Sequence, residues 1–119
     1  MDKVNLAQKF AAFSERWSPK IAGELNGQQV KLVKLKGEFV WHHHENEDEL
    51  FLVVKGVLRM RFRDREIEVR DGEFIIVPRG VEHCPAADEE CQVLLLEPAT
   101  TLNTGNLRNA RTVEKLERI

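Results

Sequence analysis

The stretch Leu50-Phe51-Leu52-Val53-Val54-Lys55-Gly56-Val57-Leu58-Arg59-Met60-Arg61-Phe62-Arg63-Asp64-Arg65-Glu66-Ile67-Glu68-Val69 decides the fold class. A five-residue apolar run ends at a Lys-Gly turn. Leu58, Met60 and Phe62 then alternate with Arg59, Arg61 and Arg63 until Asp64-Arg65 turns the chain again. A period of two places alternate side chains on opposite faces, so these runs read as short strands joined by tight turns.

Outward from that stretch the pattern repeats. Asp71-Gly72 turns into a strand over 74–77, Pro78-Arg79-Gly80 forms a loop, and 91–96 closes the series before Pro98. Upstream, strands are expected over 21–25, 30–36 and 39–44, the first two joined through Asn26-Gly27, where both residues tolerate positive φ. Such a series argues an all-β sandwich or barrel whose edges need closure or a partner. Residues 5–17 read differently. Asn5 can cap a helix with Gln8 three places on, and Leu6, Phe10, Phe13 and Trp17 share one helical face until Pro19 stops it. That stripe is expected to pack on the body of the domain or to meet a partner. The stretch 100–111 is polar and reads as irregular, and 112–119 as a terminal helix or docked strand.

The chain of 119 residues is long enough for one core and too short for two. Its 18 basic and 20 acidic residues leave a formal charge of −2, which argues against a nucleic-acid partner. The apolar runs are far too short to span a membrane, and Met1 to Asn5 lack the apolar stretch of a signal peptide, so no membrane is expected and the location is expected to be cytoplasmic. Two cysteines, Cys84 and Cys91, are too few for a disulfide framework. A redox pair is conceivable, but reduced thiols are the expectation in that compartment.

The chemistry concentrates in the histidines, at 42, 43, 44 and 83. On a strand His42 and His44 share a face, with Cα atoms roughly 6–7 Å apart, while His43 points the other way. An H-x-H pair is therefore a two-point start for a metal site. Of the acidic run Glu45, Glu47, Asp48 and Glu49, only Glu49 opens the apolar strand, where a hairpin through Asn46 can return it beside His44. The others read as a solvated turn.

These residues carry a family resemblance. His42-x-His44, four residues, Glu49, six residues, Gly56 resembles the first motif of the cupins. Gly72, five residues, Pro78-x-Gly80, two residues, His83 resembles the second. Two departures stand out. Gly37 precedes His42 with a spacer of four rather than five, and Ala87 replaces the terminal Asn of the second motif. Neither position supplies a usual ligand. The resemblance implies a double-stranded β-helix, or jelly-roll barrel, with a short N-terminal helix. It divides the chain into a lead-in over 1–20, the barrel over 21–100 and an extension over 101–119. It also implies one divalent metal ion held by His42, His44, Glu49 and His83. The ending Glu97-Pro98-Ala99 with Thr104-Gly105 is similar to the small cupins described as mannose-6-phosphate isomerase-like, which usually form homodimers.

Three imidazoles and a carboxylate make a mixed donor set suited to Fe, Mn, Ni, Zn or Co, with one or two positions left for a small-molecule ligand or substrate. The implied function is a mononuclear metal enzyme of oxygenase, isomerase or lyase type acting on a small organic or sugar-like substrate. The alternative is a non-catalytic ligand-binding or regulatory cupin. The chain has no tyrosine, which disfavours the epimerase and thiol dioxygenase subtypes of the fold. Glu47 and Glu82 are the candidate bases. The stripe Arg59, Arg61, Arg63 and Arg65 reads as a solvent face paired across strands with Glu66 and Glu68, against the alternative of an anion surface.

Overall fold

In the computed structural model, which describes residues 1–119, one helix and seven strands follow in order. The helix α1 (Leu6–Ala11) precedes β1 (Lys20–Leu25), β2 (Gln28–Glu38), β3 (Glu49–Lys55), β4 (Val57–Phe62), β5 (Glu66–Arg70), β6 (Phe74–Val77) and β7 (His83–Pro98). Every ladder is antiparallel, so tight turns suffice for most connections. Asn26 and Gly27 have φ of 48° and 77°, the doubly positive conformation that lets a two-residue turn follow the twist of its strands.

The strand order is β1-β2-β7-β3-β6, with β4 pairing both β7 and β5. The C-terminal half of β7 lies between β2 and β3, from Leu35↔Cys91 to Gln28↔Pro98 on one side and from Lys55↔Gln92 to Leu50↔Leu96 on the other. Its N-terminal part pairs β4 over His83 to Ala86. The inward residues of six strands form one core: Val33, Leu35, Phe51, Val53, Leu58, Met60, Val69, Val77, Val93 and Leu95 all belong to it. Leu58, Met60, Val53 and Val93 are wholly removed from water, each worth roughly 1.5–3 kcal/mol of burial. The architecture is the expected all-β barrel with a short N-terminal helix.

Three expectations need correcting. The helix ends at Ala12 rather than Trp17. Asn5 does cap it, its Oδ1 accepting from the Gln8 N–H at 3.0 Å, and Phe10 and Phe13 pack on Leu32 on the outer face of β2. Trp17, however, has a φ of 60°. Its backbone N–H donates to Lys34 O and its Nε1–H to Lys36 O, both at 2.9 Å, and these tertiary bonds override the helical stripe. The segment 39–44 is not a continuous strand, because it meets β7 only at separate points, the Phe39 N–H donating to Pro85 O at 3.0 Å and His42 facing His83. It makes a single bridge at His42↔His83, with reciprocal N–H to O distances of 3.0 and 2.9 Å. The closing strand, expected over 91–96, begins at His83, and an irregularity against Leu35 and Gly37 absorbs the acidic residues 88–90 within it. At the C-terminus there is no helix. Arg118 bridges Ile21, with the Ile21 N–H donating to Glu117 O at 2.9 Å.

Candidate metal centre

His42, His44, Glu49 and His83 come together as the sequence predicts. One donor atom from each lies within 4.8 Å of all the others, and all four residues are buried. Each arrives from a different kind of local structure. Glu49 is the first residue of β3, paired with Val77 and facing inward. His83 opens β7. His42 is held opposite it by the two-bond bridge, and His44 accepts the Gly80 N–H on its backbone oxygen at 2.7 Å.

The hydrogen bonds fix which nitrogen is free on two of the three rings. His42 Nδ1 lies 2.9 Å from Val40 O and His83 Nδ1 lies 2.9 Å from Val81 O. A backbone oxygen only accepts, so both Nδ1 atoms carry the proton and both Nε2 atoms are available as ligands. His83 Nε2 then points at Glu49 Oε1 at 3.1 Å, and His44 Nε2 stands 2.9 Å from the same oxygen. His44 Nε2 is buried with no hydrogen bond of good geometry. His42 Nε2, His83 Nε2 and the Glu49 carboxylate thus turn lone pairs toward one buried point, a donor set that a divalent cation takes. Burial, and after it the neighbouring His83, pull His42 down to about 4, so its ring is neutral and ligand-competent near pH 7. Burial alone would raise the Glu49 carboxyl, but the imidazoles of His44 and His83 outweigh it and hold Glu49 well below the usual range. The residues fit a divalent metal ion.

A second buried carboxylate, unforeseen as part of the site, stands beside Glu49. The pairing of β3 with β7 runs to Leu50↔Leu96, which sets Glu49 against Glu97 at the next step. Glu97 Oε1 accepts from Lys31 Nζ at 2.8 Å, with both side chains about 2% exposed. Its Oε2 has no partner. Burial first, and then the Glu49 charge, push the Glu97 carboxyl well above its ordinary range. In the folded barrel Lys31 is in step with inward Val33 and Leu35, and Glu97 with inward Val93 and Leu95.

A half-open cavity of about 430 Å³, mouth included, adjoins the cluster. His42, Glu49 and Glu97 contribute to its floor, and Trp17, Phe39 and Phe51 to its apolar walls. Trp17 and Phe39 stack at 4.8 Å between centroids and 13° between planes, and the Arg111 guanidinium packs over both rings.

The C-terminal extension presses on the ligand segment from outside. Asn106 N–H donates to His43 O at 3.0 Å and Asn106 Oδ1 accepts from His43 N–H at 2.9 Å, so one residue imitates the ladder that a strand would make. Gly105 makes this approach feasible. Its φ is 58°, and a Cβ there would stand 2.2 Å from His43 O and 3.0 Å from His42 Cδ2.

Other candidates lie elsewhere. His43 is outside the cluster, its ring paired with exposed Glu45. Glu47 accepts from Thr100 Oγ1 at 2.9 Å and Glu82 pairs with Arg63 at 3.1 Å, so neither candidate base reaches the centre. Arg59 pairs with Glu66 and Asp88, and Arg61 with Glu38, a solvated and neutralised face. The guanidiniums of Arg61 and Arg63 cover Trp41. Cys84 and Cys91 are free and buried, and burial raises both thiols, Cys91 to about 12.

Comparison with known proteins agrees with this geometry. Residues 30–97 match the family model described as cupin domain. A cupin-2 domain containing protein from Shewanella frigidimarina is 47% identical, covering 80% of this chain and 93% of that one with a TM-score of 0.79. A protein from Neisseria meningitidis is 35% identical, covering 82% of this chain and all of that one with a TM-score of 0.76. An uncharacterised protein, YdbB, from Bacillus subtilis is 39% identical over 61 residues, half of this chain and 54% of that protein's length. KdgF from Halomonas, at 23% identity, 67% and 78% coverage and a TM-score of 0.59, shares the fold. With more than half of its length matched by the family model and His42, His44, Glu49 and His83 converging at one buried point, the chain belongs to the cupin family.

Proposed function

We propose that His42, His44, Glu49 and His83 ligate one divalent metal ion, Fe, Mn, Ni, Zn or Co, and that the centre is a mononuclear metal enzyme for a small organic substrate admitted through the adjoining cavity. The observation that carries this is the convergence of four buried donor atoms, one from each of these residues, within 4.8 Å of one another. A bound ion would supply Lewis-acid polarisation of the substrate and, with a redox metal, electron transfer. The chain's own residues line the approach with Trp17, Phe39 and Phe51, keep His42 neutral, and place Glu97 Oε2, which no other residue engages, on the cavity floor.

The test begins with metal analysis of purified, reconstituted protein, which should return one divalent ion per chain. A small fraction of one removes the proposal. Oxygen uptake and product formation over a panel of small organic acids, diols and sugars then separate catalysis from binding. A ligand that binds and emerges unchanged with every metal would assign the chain to ligand binding alone. A homodimer belongs to the same proposal, supported by Phe74 and Ile76, which stand more than half exposed on β6, a strand paired only with β3. So does a cytoplasmic location, supported by two cysteines left free.

A further inference from the structure

The cavity beside the proposed centre offers few groups that could place a ligand. His42 and Glu49 belong to the centre, and Glu97 Oε1 accepts from Lys31 Nζ at 2.8 Å. The Asn103 amide is satisfied at both ends, Nδ2 donating to Arg111 O at 2.8 Å and Oδ1 accepting from the Val113 N–H at 2.9 Å. At the rim stands a cation. The Arg111 guanidinium lies 5.5 Å from the centre of the Trp17 ring and 5.6 Å from that of Phe39, two of the cavity walls. Every other arginine of the chain except Arg65 pairs with a carboxylate. Arg65 lies over Phe62, which is not part of this cavity. Arg111 has no carboxylate partner, and its side chain makes one hydrogen bond, from Nη1 to Glu38 O at 2.9 Å. Its backbone is pinned on both sides: the N–H donates to Asn109 Oδ1 at 2.8 Å, and the carbonyl is held by Asn103. An exposed, unpaired guanidinium is thus preorganised at an apolar mouth.

We propose that Arg111 binds a carboxylate of the ligand at the cavity mouth, and that the site takes small carboxylic acids whose other end carries an oxygen function for the metal. This rests on the metal centre proposed above. A guanidinium presents its N–H donors in one plane. With Nη1 turned to Glu38 O, the edge formed by Nε and Nη2 is left for the two oxygens of one carboxylate. The rings against which the guanidinium packs hold it in place and keep water from one side of it, so the pair forms in surroundings less polar than open solvent. The charge of the ligand's outer group follows from the cations at hand. One guanidinium balances the single charge of a carboxylate. A phosphate dianion needs a second cation, and none of the lining residues is a lysine or an arginine. A ligand with a neutral outer end leaves Arg111 as unpaired as it is in the free protein.

The experiment uses the full chain loaded with Co(II), whose visible absorption reports changes in coordination, and titrates it with hydroxamates in pairs of equal length. The pairs are butyrohydroxamate with succinomonohydroxamate, pentanohydroxamate with glutaromonohydroxamate, and hexanohydroxamate with adipomonohydroxamate. Within a pair the metal-binding head is the same, and the far end is a methyl group or a carboxylate. For at least one length the carboxylate is expected to bind about tenfold tighter, and Arg111→Gln is expected to abolish that difference through weaker binding of the carboxylate. Equal affinities or a preference for the methyl end at every length would overturn the proposal, as would cobalt-loaded protein that responds to no hydroxamate. So would a preference that survives in Arg111→Gln, or an equal loss for both members of the pair, which would leave Arg111 a packing residue. Failure of the underlying reading looks different: the protein takes up no cobalt and gives no bands to shift, and the carboxylate proposal then falls with it.

Discussion

Two adjacent rings meet opposite environments at His43 and His44. His44 is buried with its Nε2 beside Glu49, whereas His43 faces Glu45 at the surface. His44→Ala is expected to abolish metal uptake and His43→Ala to leave stoichiometry near one, measured by elemental analysis after dialysis. Equal loss in both variants contradicts the assignment. His42 makes a prediction about acid. In the metal-free fold its ring titrates near 4, against 6.5 when unperturbed. Between those values the unfolded chain binds a proton that the native chain refuses. Stability attributable to His42 is therefore complete above pH 6.5 and falls as pH drops toward 4, by about 3 kcal/mol in all. Glu97 slopes the other way, since its raised carboxyl keeps a proton that the unfolded chain releases above about 4.5. A bulk denaturation curve mixes the two. NMR titration of the His42 Cε1–H resolves them, and a midpoint near 6.5 would be the refuting result.

Among elements, the pairing of β2 with β7 places Lys31 and Glu97 in an apolar wall. Lys31→Met strands Glu97, at an expected cost of about 3 kcal/mol in urea unfolding, the lower end for a broken buried pair because Glu97 can keep its proton. Replacing both, as Lys31→Met with Glu97→Leu, should recover most of that loss. A single variant as stable as the parent would show the ion pair to be idle. The extension carries its own prediction. Gly105→Ala drives a methyl group into His43 O, so metal affinity should weaken about tenfold or more while the barrel stays folded. Isothermal titration and circular dichroism check the two halves, and unchanged affinity would show that the extension does not hold the ligand segment. Of the four clustered residues, alternation made His42 and His44 legible and the apolar run singled out Glu49, but its meeting with His83 followed only from the likeness to the two cupin motifs, because no local period links segments so far apart in the chain. Lys31 and Glu97 were not legible. A charge in a strand ordinarily marks the solvent side, and Val30-Lys31-Leu32-Val33-Lys34-Leu35 is apolar on both faces, so its phase is ambiguous. Trp17 kept helical spacing with Phe13, yet its indole bonds to β2 pulled it out of the helix. The clamp by Asn106 has no period at all, since one side-chain amide does the work of a strand.

For the whole molecule, Phe74 and Ile76 predict the state of assembly. Sedimentation should give twice the 13.7 kDa of one chain, and Phe74→Lys with Ile76→Lys should give the monomer. A monomeric parent protein would end the dimer proposal. The barrel also has one strand that no other can replace. The sixteen residues of β7 pair β2, β3 and β4, and they come after all of those in the chain. During synthesis those three strands therefore wait with unpaired edges until β7 has left the ribosome, the interval in which like edges on neighbouring nascent chains find each other. Chains cut short of Pro98 should emerge as inclusion bodies rather than as smaller barrels, and slower translation upstream of His83 should lower the soluble yield of the full 119 residues.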